Sequence, residues 1–218
     1  MAPTLLSVLL LGFALGLRHA TDADHVVAVG TIVGRERSLS GAARVGGLWG
    51  LGHTLTLLVV GGAIISFSLV VPPRLGLSLE LGVALMLVGL GMANLVGRVR
   101  KRTAPSPPGS RARPLLVGTV HGLAGSAAIA LLVLASIRSA GLAFVYLGVF
   151  GCGTLVGMVA LTVLMALPLR LAADRSRWFE RGFARVSGLL SVALGLFLAY
   201  RIGLVDGLFT GDPRWTPH

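Results

Sequence analysis

The 218 residues are 55% hydrophobic and 12% charged, with a mean hydropathy of +0.88. A soluble domain of this length has no core large enough for so much apolar side chain, so the composition excludes that class and implies an all-α polytopic membrane protein. The formal net charge of +11 does not point to nucleic acid, because the basic residues fall in alternate loops, and the single cysteine, Cys152, excludes an intrachain disulfide or dithiol pair.

Six membrane spans are predicted, over residues 4–34, 45–71, 78–97, 115–137, 141–169 and 185–207. The N-terminus lacks the basic region of a signal peptide, so its apolar run reads as a retained first span. That span is longer than a bilayer requires, which predicts tilt or a break. The loop 35–44 carries Arg35, Arg37 and Arg44, and the loop 98–114 carries Arg98, Arg100, Lys101, Arg102, Arg111 and Arg113. The loop 170–184 adds Arg170, Arg175, Arg177 and Arg181, and around Trp178 and Phe179 it reads either as a short interfacial helix or as a solvated loop. Placing these basic loops in the cytoplasm puts both termini outside.

The Pro/Ser/Arg segment 98–114 reads as a basic cytoplasmic linker between two related halves, 1–97 and 115–218. Gly16-Leu17-Arg18-His19 matches Gly118-Thr119-Val120-His121, and Gly52-His53-Thr54-Leu55 matches Cys152-Gly153-Thr154-Leu155. Three spans per half make the second copy inverted, a 3+3 inverted-topology repeat. Such transporters place their site near the midplane, where interrupted helices of the two halves meet.

The first span is interrupted by Arg18-His19-Ala20-Thr21-Asp22-Ala23-Asp24-His25. An Asp or Arg near the centre of a membrane helix costs roughly 2.5–3.5 kcal/mol, so three cost about 8 kcal/mol unless something compensates. Imidazoles and carboxylates at close quarters suit a divalent transition metal. His19, Asp22 and His25 fall on one slanted stripe of a helix, while Asp24 points roughly the other way. A straight helix separates His19 from His25 by about 9 Å along its axis, too far for both to bind one ion at about 2 Å. Either the helix unwinds near residues 20–23 or another span shares the ligand set.

His53, flanked by Gly50 and Gly52, is the obvious additional ligand on the second span, and His121 occupies the position matching His19. The candidate metal residues are therefore His19, Asp22, Asp24, His25, His53 and His121, with Arg18 and Asp24 also candidates for orienting the imidazoles or balancing charge. A structural ion-pair knot of Arg18 with the aspartates is the bland alternative, but it has no need of histidines. Glu80 reads as an interfacial charge, Asn94 as a link between helices, and Cys152 as part of a small-residue contact. Met86, Met92, Met158 and Met165 read as lipid-facing or core filler, and His218 as incidental.

These residues resemble the nickel/cobalt transporter family, whose hallmark is His-x4-Asp-His on a membrane span, here His19, Asp24 and His25. Leu51-Gly52-His53-Thr54, His121-Gly122-Leu123-Ala124-Gly125-Ser126-Ala127 and Phe150-Gly151-Cys152-Gly153-Thr154 look like the six-span, urease-accessory type of that family. The resemblance implies transport of Ni²⁺ or Co²⁺ across the bacterial cytoplasmic (inner) membrane for urease or hydrogenase maturation. It makes His19, Asp24 and His25 essential, with Asp22 and His53 as contributors. Larger members have eight spans and carry the signature on the second, so their topology does not transfer directly.

The chain is thus expected to be a secondary permease and no enzyme, with the metal ion as substrate, no prosthetic group, the lipid bilayer as environment and a homo-oligomer left open. It contains no G-x-x-x-x-G-K-[ST], so any ATP-driven step would need a partner. A thiol–disulfide electron carrier would need a second cysteine, and an intramembrane metalloprotease would want H-E-x-x-H. Metal efflux and a non-transporting sensor or accessory subunit remain as alternatives; the histidine-free loop 98–114 favours uptake.

Overall fold

In the computed structural model the described residues are 5–33, 38–67, 69–96, 112–123, 137, 139–172 and 177–215, excluding the side chains of 172 and 177–181. They form seven α-helices and no strand: α1 Leu5–His19, α2 Ala23–Val33, α3 Leu39–Phe67, α4 Pro73–Leu95, α5 Ala112–Leu123, α6 Ala140–Ala172 and α7 Arg177–Tyr200. A short π-helical turn, Arg201–Val205, continues α7.

Four of these segments are long and apolar enough to cross a bilayer, and α1 with α2 makes a fifth when counted as one broken span. Six were expected. The difference falls at 115–137, where α5 has 12 residues, about 18 Å of helix, and 124–136 lies outside the described residues. The expected linker 98–114 also lies outside them up to residue 111, and its last three residues already belong to α5. Residues 177–181 are the first turn of α7, neither a separate interfacial helix nor a loop.

Helix boundaries overrun the hydrophobic stretches because backbone hydrogen bonding continues into polar flanks where a cap is available. The hydroxyl of Ser38 accepts from Gly41 N at 3.0 Å and thereby caps α3 ahead of Arg44. Pro73, at the first turn of α4, occupies a position whose amide needs no partner.

The helices pack as α1 on α6, α3 on both α5 and α6, and α4 on α7. The close approaches occur in reciprocal pairs. A Cβ on Gly16 of α1 would fall on the Phe150 carbonyl of α6, and one on Gly118 of α5 would fall on the Trp49 carbonyl of α3. Gly153 of α6 meets the Phe13 carbonyl, as Gly52 of α3 meets the Leu115 carbonyl. On the far side, a Cβ on Gly91 would come within 2.9 Å of Val192 N, and one on Gly195 within 2.9 Å of Val88 N. Such backbone contact is how helices associate in lipid, where apolar side chains gain nothing by leaving the hydrocarbon.

Other polar side chains serve packing. Asn94 Nδ2 donates to the Thr31 carbonyl at 3.0 Å, linking α4 to α2 as expected of it. Glu80, anticipated as an interfacial charge, accepts from Trp215 Nε1 at 2.8 Å, with the indole over Gly76. Met158 is core filler and Met92 is exposed.

Candidate metal centre

The charges in the first span are arranged to end one helix and begin another. Arg18 and His19 occupy the last turn of α1, and Asp24 the first turn of α2, each sign complementing the local helix dipole. Between them Thr21 Oγ1 donates to the Arg18 carbonyl at 2.6 Å, and Thr21 N and Asp22 N make short-range bonds to Arg18 and His19. Side-chain competition of this kind breaks the helical ladder. The Asp22 carbonyl then accepts from Val26 N and starts α2. The two helices meet at a bend of 55°.

The bend resolves the 9 Å problem. It turns His25 back toward His19, bringing their ring centroids to 4.7 Å. Sharing with a second span also occurs, since His53 of α3 lies with its ring 5.1 Å from His19 and 5.3 Å from His25. His121 of α5 completes the set, 4.2 Å from the His25 ring. Four of the five histidines of the chain therefore form one buried cluster.

Two groups of ligand atoms lie mutually within 4.8 Å: His19, His25 and His53, and Asp24, His25 and His121. His19 Nε2 and His53 Nε2 are 3.1 Å apart. With metal–imidazole bonds of about 2.1 Å, two ligands at right angles stand about 3.0 Å apart and tetrahedral ones about 3.4 Å apart. The observed separation is that of a hydrogen bond between the two rings and lies between the two values, so the pair could close on a divalent ion with little movement.

Behind these nitrogens stand carboxylates. His19 Nδ1 is 2.9 Å from Asp22 Oδ2, and His25 Nδ1 is 3.1 Å from Asp24 Oδ1. A carboxylate on Nδ1 fixes the tautomer so that Nε2 presents its lone pair, the usual support of a metal-binding histidine. Asp24 Oδ1 also accepts from His25 N at 2.9 Å, and its Oδ2 lies 3.1 Å from His121 Nε2. That last pair lacks hydrogen-bond geometry. Among the described residues His25 Nε2, His53 Nδ1 and both ring nitrogens of His121 are buried without a hydrogen-bond partner. Unpartnered buried polar atoms are costly, and in each of the two ligand groups one such nitrogen stands within 4.8 Å of other donor atoms, where a bound cation would offset the cost.

All six sequence candidates are accounted for. His19, His25, His53, His121 and Asp24 converge, while Asp22 stands outside both ligand groups, behind His19. The sequence-matched second half contributes His121 alone, since 124–126 lie outside the described residues. Cys152 is exposed and belongs to neither ligand group.

Two aromatic neighbours were missed. Trp49 is fully buried, stacked on His25 at 6.4 Å and edge-on to His121 at 5.9 Å, and Phe150 lies 5.4 Å from His19. They wall the cluster with apolar surface. An aromatic within an apolar run carries no pattern that distinguishes this role from lipid contact.

No protein-family model matches the chain, and no solved structure matches it significantly. Among curated proteins it is similar to the urease accessory protein UreH of Bacillus sp. (strain TB-90), with 35% identity over 94% of this chain and 96% of that protein. It is also 32% identical to a high-affinity nickel transport protein of Cupriavidus necator, over 43% of this chain and 29% of that one. The hydrogenase nickel incorporation protein HupN of Bradyrhizobium diazoefficiens is 35% identical over 37% of this chain and 21% of its own length. A near-full-length relative, joined to the His-x4-Asp-His signature at a broken membrane helix, places this chain in the nickel/cobalt transporter family.

Proposed function

We propose that the chain is a secondary permease for Ni²⁺, with Co²⁺ as a chemically close alternative cargo, serving urease or hydrogenase maturation. One observation carries this reading: buried imidazole nitrogens at ligand spacing, backed by carboxylates, at a break in a membrane-embedded helix pair. The relatives named for nickel transport, nickel incorporation and urease accessory function support the same cargo. His19, His25, His53, Asp24 and His121 act as ligands in this reading, and Asp22 orients His19.

The proposed architecture is a 3+3 inverted repeat of residues 1–97 and 115–218, joined by the basic linker 98–114. The reciprocal glycine contacts support it, because the partners correspond at a constant offset within each helix pair. The arginine-rich loops argue for the bacterial inner membrane with both termini outside. A potential of 100 mV favours entry of a divalent ion by about 4.6 kcal/mol, enough to drive uptake without ATP or a coupled ion.

The test is ⁶³Ni²⁺ flux into proteoliposomes of known orientation under an imposed potential, with His19→Ala as control. Potential-driven inward flux that disappears in the variant is expected. Flux only in the outward sense would replace uptake by efflux, and tight binding without flux would replace transport by sensing.

A further inference from the structure

The two ligand groups share one residue. His25 belongs both to the set with His19 and His53 and to the set with Asp24 and His121. Building on the permease reading, we infer that these are two successive cargo positions with His25 as pivot: a first, imidazole-only position at His19, His25 and His53, and a second, carboxylate-bearing position at Asp24, His25 and His121.

A neutral imidazole with one ring nitrogen protonated has one lone pair to give, so His25 serves one ion at a time. His25 Nδ1 is held by Asp24 Oδ1, which leaves Nε2 as its ligand atom. The short spans between the rings, 4.7 Å to His19 and 4.2 Å to His121, let an ion exchange partners around His25 without leaving it. It trades His19 and His53 for Asp24 and His121 and is never returned to bulk-like hydration within a low-dielectric span.

The positions differ in charge as well as in composition. At the first, carboxylate charge reaches the ion only through imidazoles, from Asp22, which is 41% exposed, through His19 and from Asp24 through His25. At the second, Asp24 is 17% exposed and its Oδ2 stands beside His121 Nε2 at 3.1 Å without hydrogen-bond geometry, as two ligand atoms turned toward a common third would. Its other ring nitrogen, His121 Nδ1, is buried without a hydrogen-bond partner among the described residues.

Equilibrium Ni²⁺ binding, nickel-edge X-ray absorption and flux, measured on the full chain, test the relay. The unaltered chain should bind one Ni²⁺. His53→Ala and His121→Ala should each retain binding within about tenfold, because one position survives, yet lose flux. His25→Ala and the double variant His53→Ala/His121→Ala should weaken binding by more than about 100-fold, beyond the usual effect of losing an outer-shell partner. Nickel bound to His121→Ala should show imidazole-dominated ligation, and nickel bound to His53→Ala mixed nitrogen and oxygen ligation. Where an alanine variant fails to fold, His53→Gln and His121→Gln replace it.

Two Ni²⁺ per chain at saturation, unimpaired flux in His121→Ala, identical absorption spectra in the two single variants, or loss of binding in His53→Ala as complete as in His25→Ala would each overturn the relay and leave the permease standing. Absence of Ni²⁺ binding to the unaltered chain would overturn the permease reading itself.

Discussion

Asp22 offers the cleanest separation of a metal ligand from a residue that aims one. Its Oδ2 lies 2.9 Å from His19 Nδ1, and it belongs to neither group of converging ligand atoms. Replacing it with Asn keeps an oxygen acceptor for Nδ1–H and removes the negative charge, whereas Ala removes both. A hydrogen bond to a charged group contributes about 1.5–3 kcal/mol, and the 41% exposure of Asp22 allows water to compete, so the lower end applies. At 1.4 kcal/mol per factor of ten, and in a His121→Ala background that leaves only the first position, Asp22→Ala should weaken Ni²⁺ binding about tenfold and Asp22→Asn by roughly threefold.

His19→Ala removes the ligand atom itself and should exceed both in its effect on flux. Isothermal titration of the purified chain gives the affinities, and flux into proteoliposomes gives the transport. A loss in Asp22→Asn as large as in His19→Ala would refute the reasoning, because it would make Asp22 a ligand. Unchanged affinity in Asp22→Ala in the His121→Ala background would refute it from the other side, since His19 would then need no orienting carboxylate.

Gly16→Ala and Gly118→Ala should each destabilise by about 1–3 kcal/mol, because a Cβ there meets backbone of the facing helix, and should weaken Ni²⁺ binding by shifting His19 or His121 one turn away. Thermal unfolding in detergent alongside nickel titration reads both effects, and wild-type values for either variant would contradict the packing described. Asn94→Leu should cost about 0.6–1.7 kcal/mol, the range for hydrogen bonds between membrane helices, through loss of the bond to the Thr31 carbonyl, with nickel affinity preserved. Cys152→Ser should leave ⁶³Ni²⁺ flux unchanged, since the thiol is exposed and outside the cluster.

The convergence of these side chains was legible in the sequence because charges and histidines within an apolar run are too costly to persist there without a partner or a ligand. The helix break was legible too, since Arg18 and His19 suit a helix end and Asp24 a helix start. The register of the proposed repeat was harder. A match of letters aligns Gly52-His53-Thr54 with Cys152-Gly153-Thr154, yet the reciprocal contacts equate Gly52 with Gly153 and hence His53 with Thr154, one residue away. Identical side chains attract an alignment, but a helix crossing is fixed by which residue lacks a Cβ. Trp49 and Phe150 were illegible for a related reason: whether an aromatic faces lipid or a neighbouring imidazole depends on helix rotation, which a nearly uniform apolar sequence does not encode.

If the chain is the proposed repeat, its shifted register lets two similar halves yield a lopsided site. In the proposed repeat, His19 and His121 are equivalent, and so are Phe150 and Trp49, the aromatic beside each. The equivalence fails at the next pair: His53 offers a ring nitrogen to the cluster, whereas Thr154 turns its hydroxyl onto the Phe150 carbonyl at 3.0 Å. A symmetric site would hold an ion equally well from both sides and give it no reason to leave. Here α1 and α3 share no extended packing and both lean on α6, so the facing nitrogens of His19 and His53 stand across a seam between helices. Sliding at that seam would separate these two ligands, while His25, Asp24 and His121 form a second set around the same pivot. Chemical asymmetry on a near-symmetric frame therefore gives the ion somewhere to go when the first position opens.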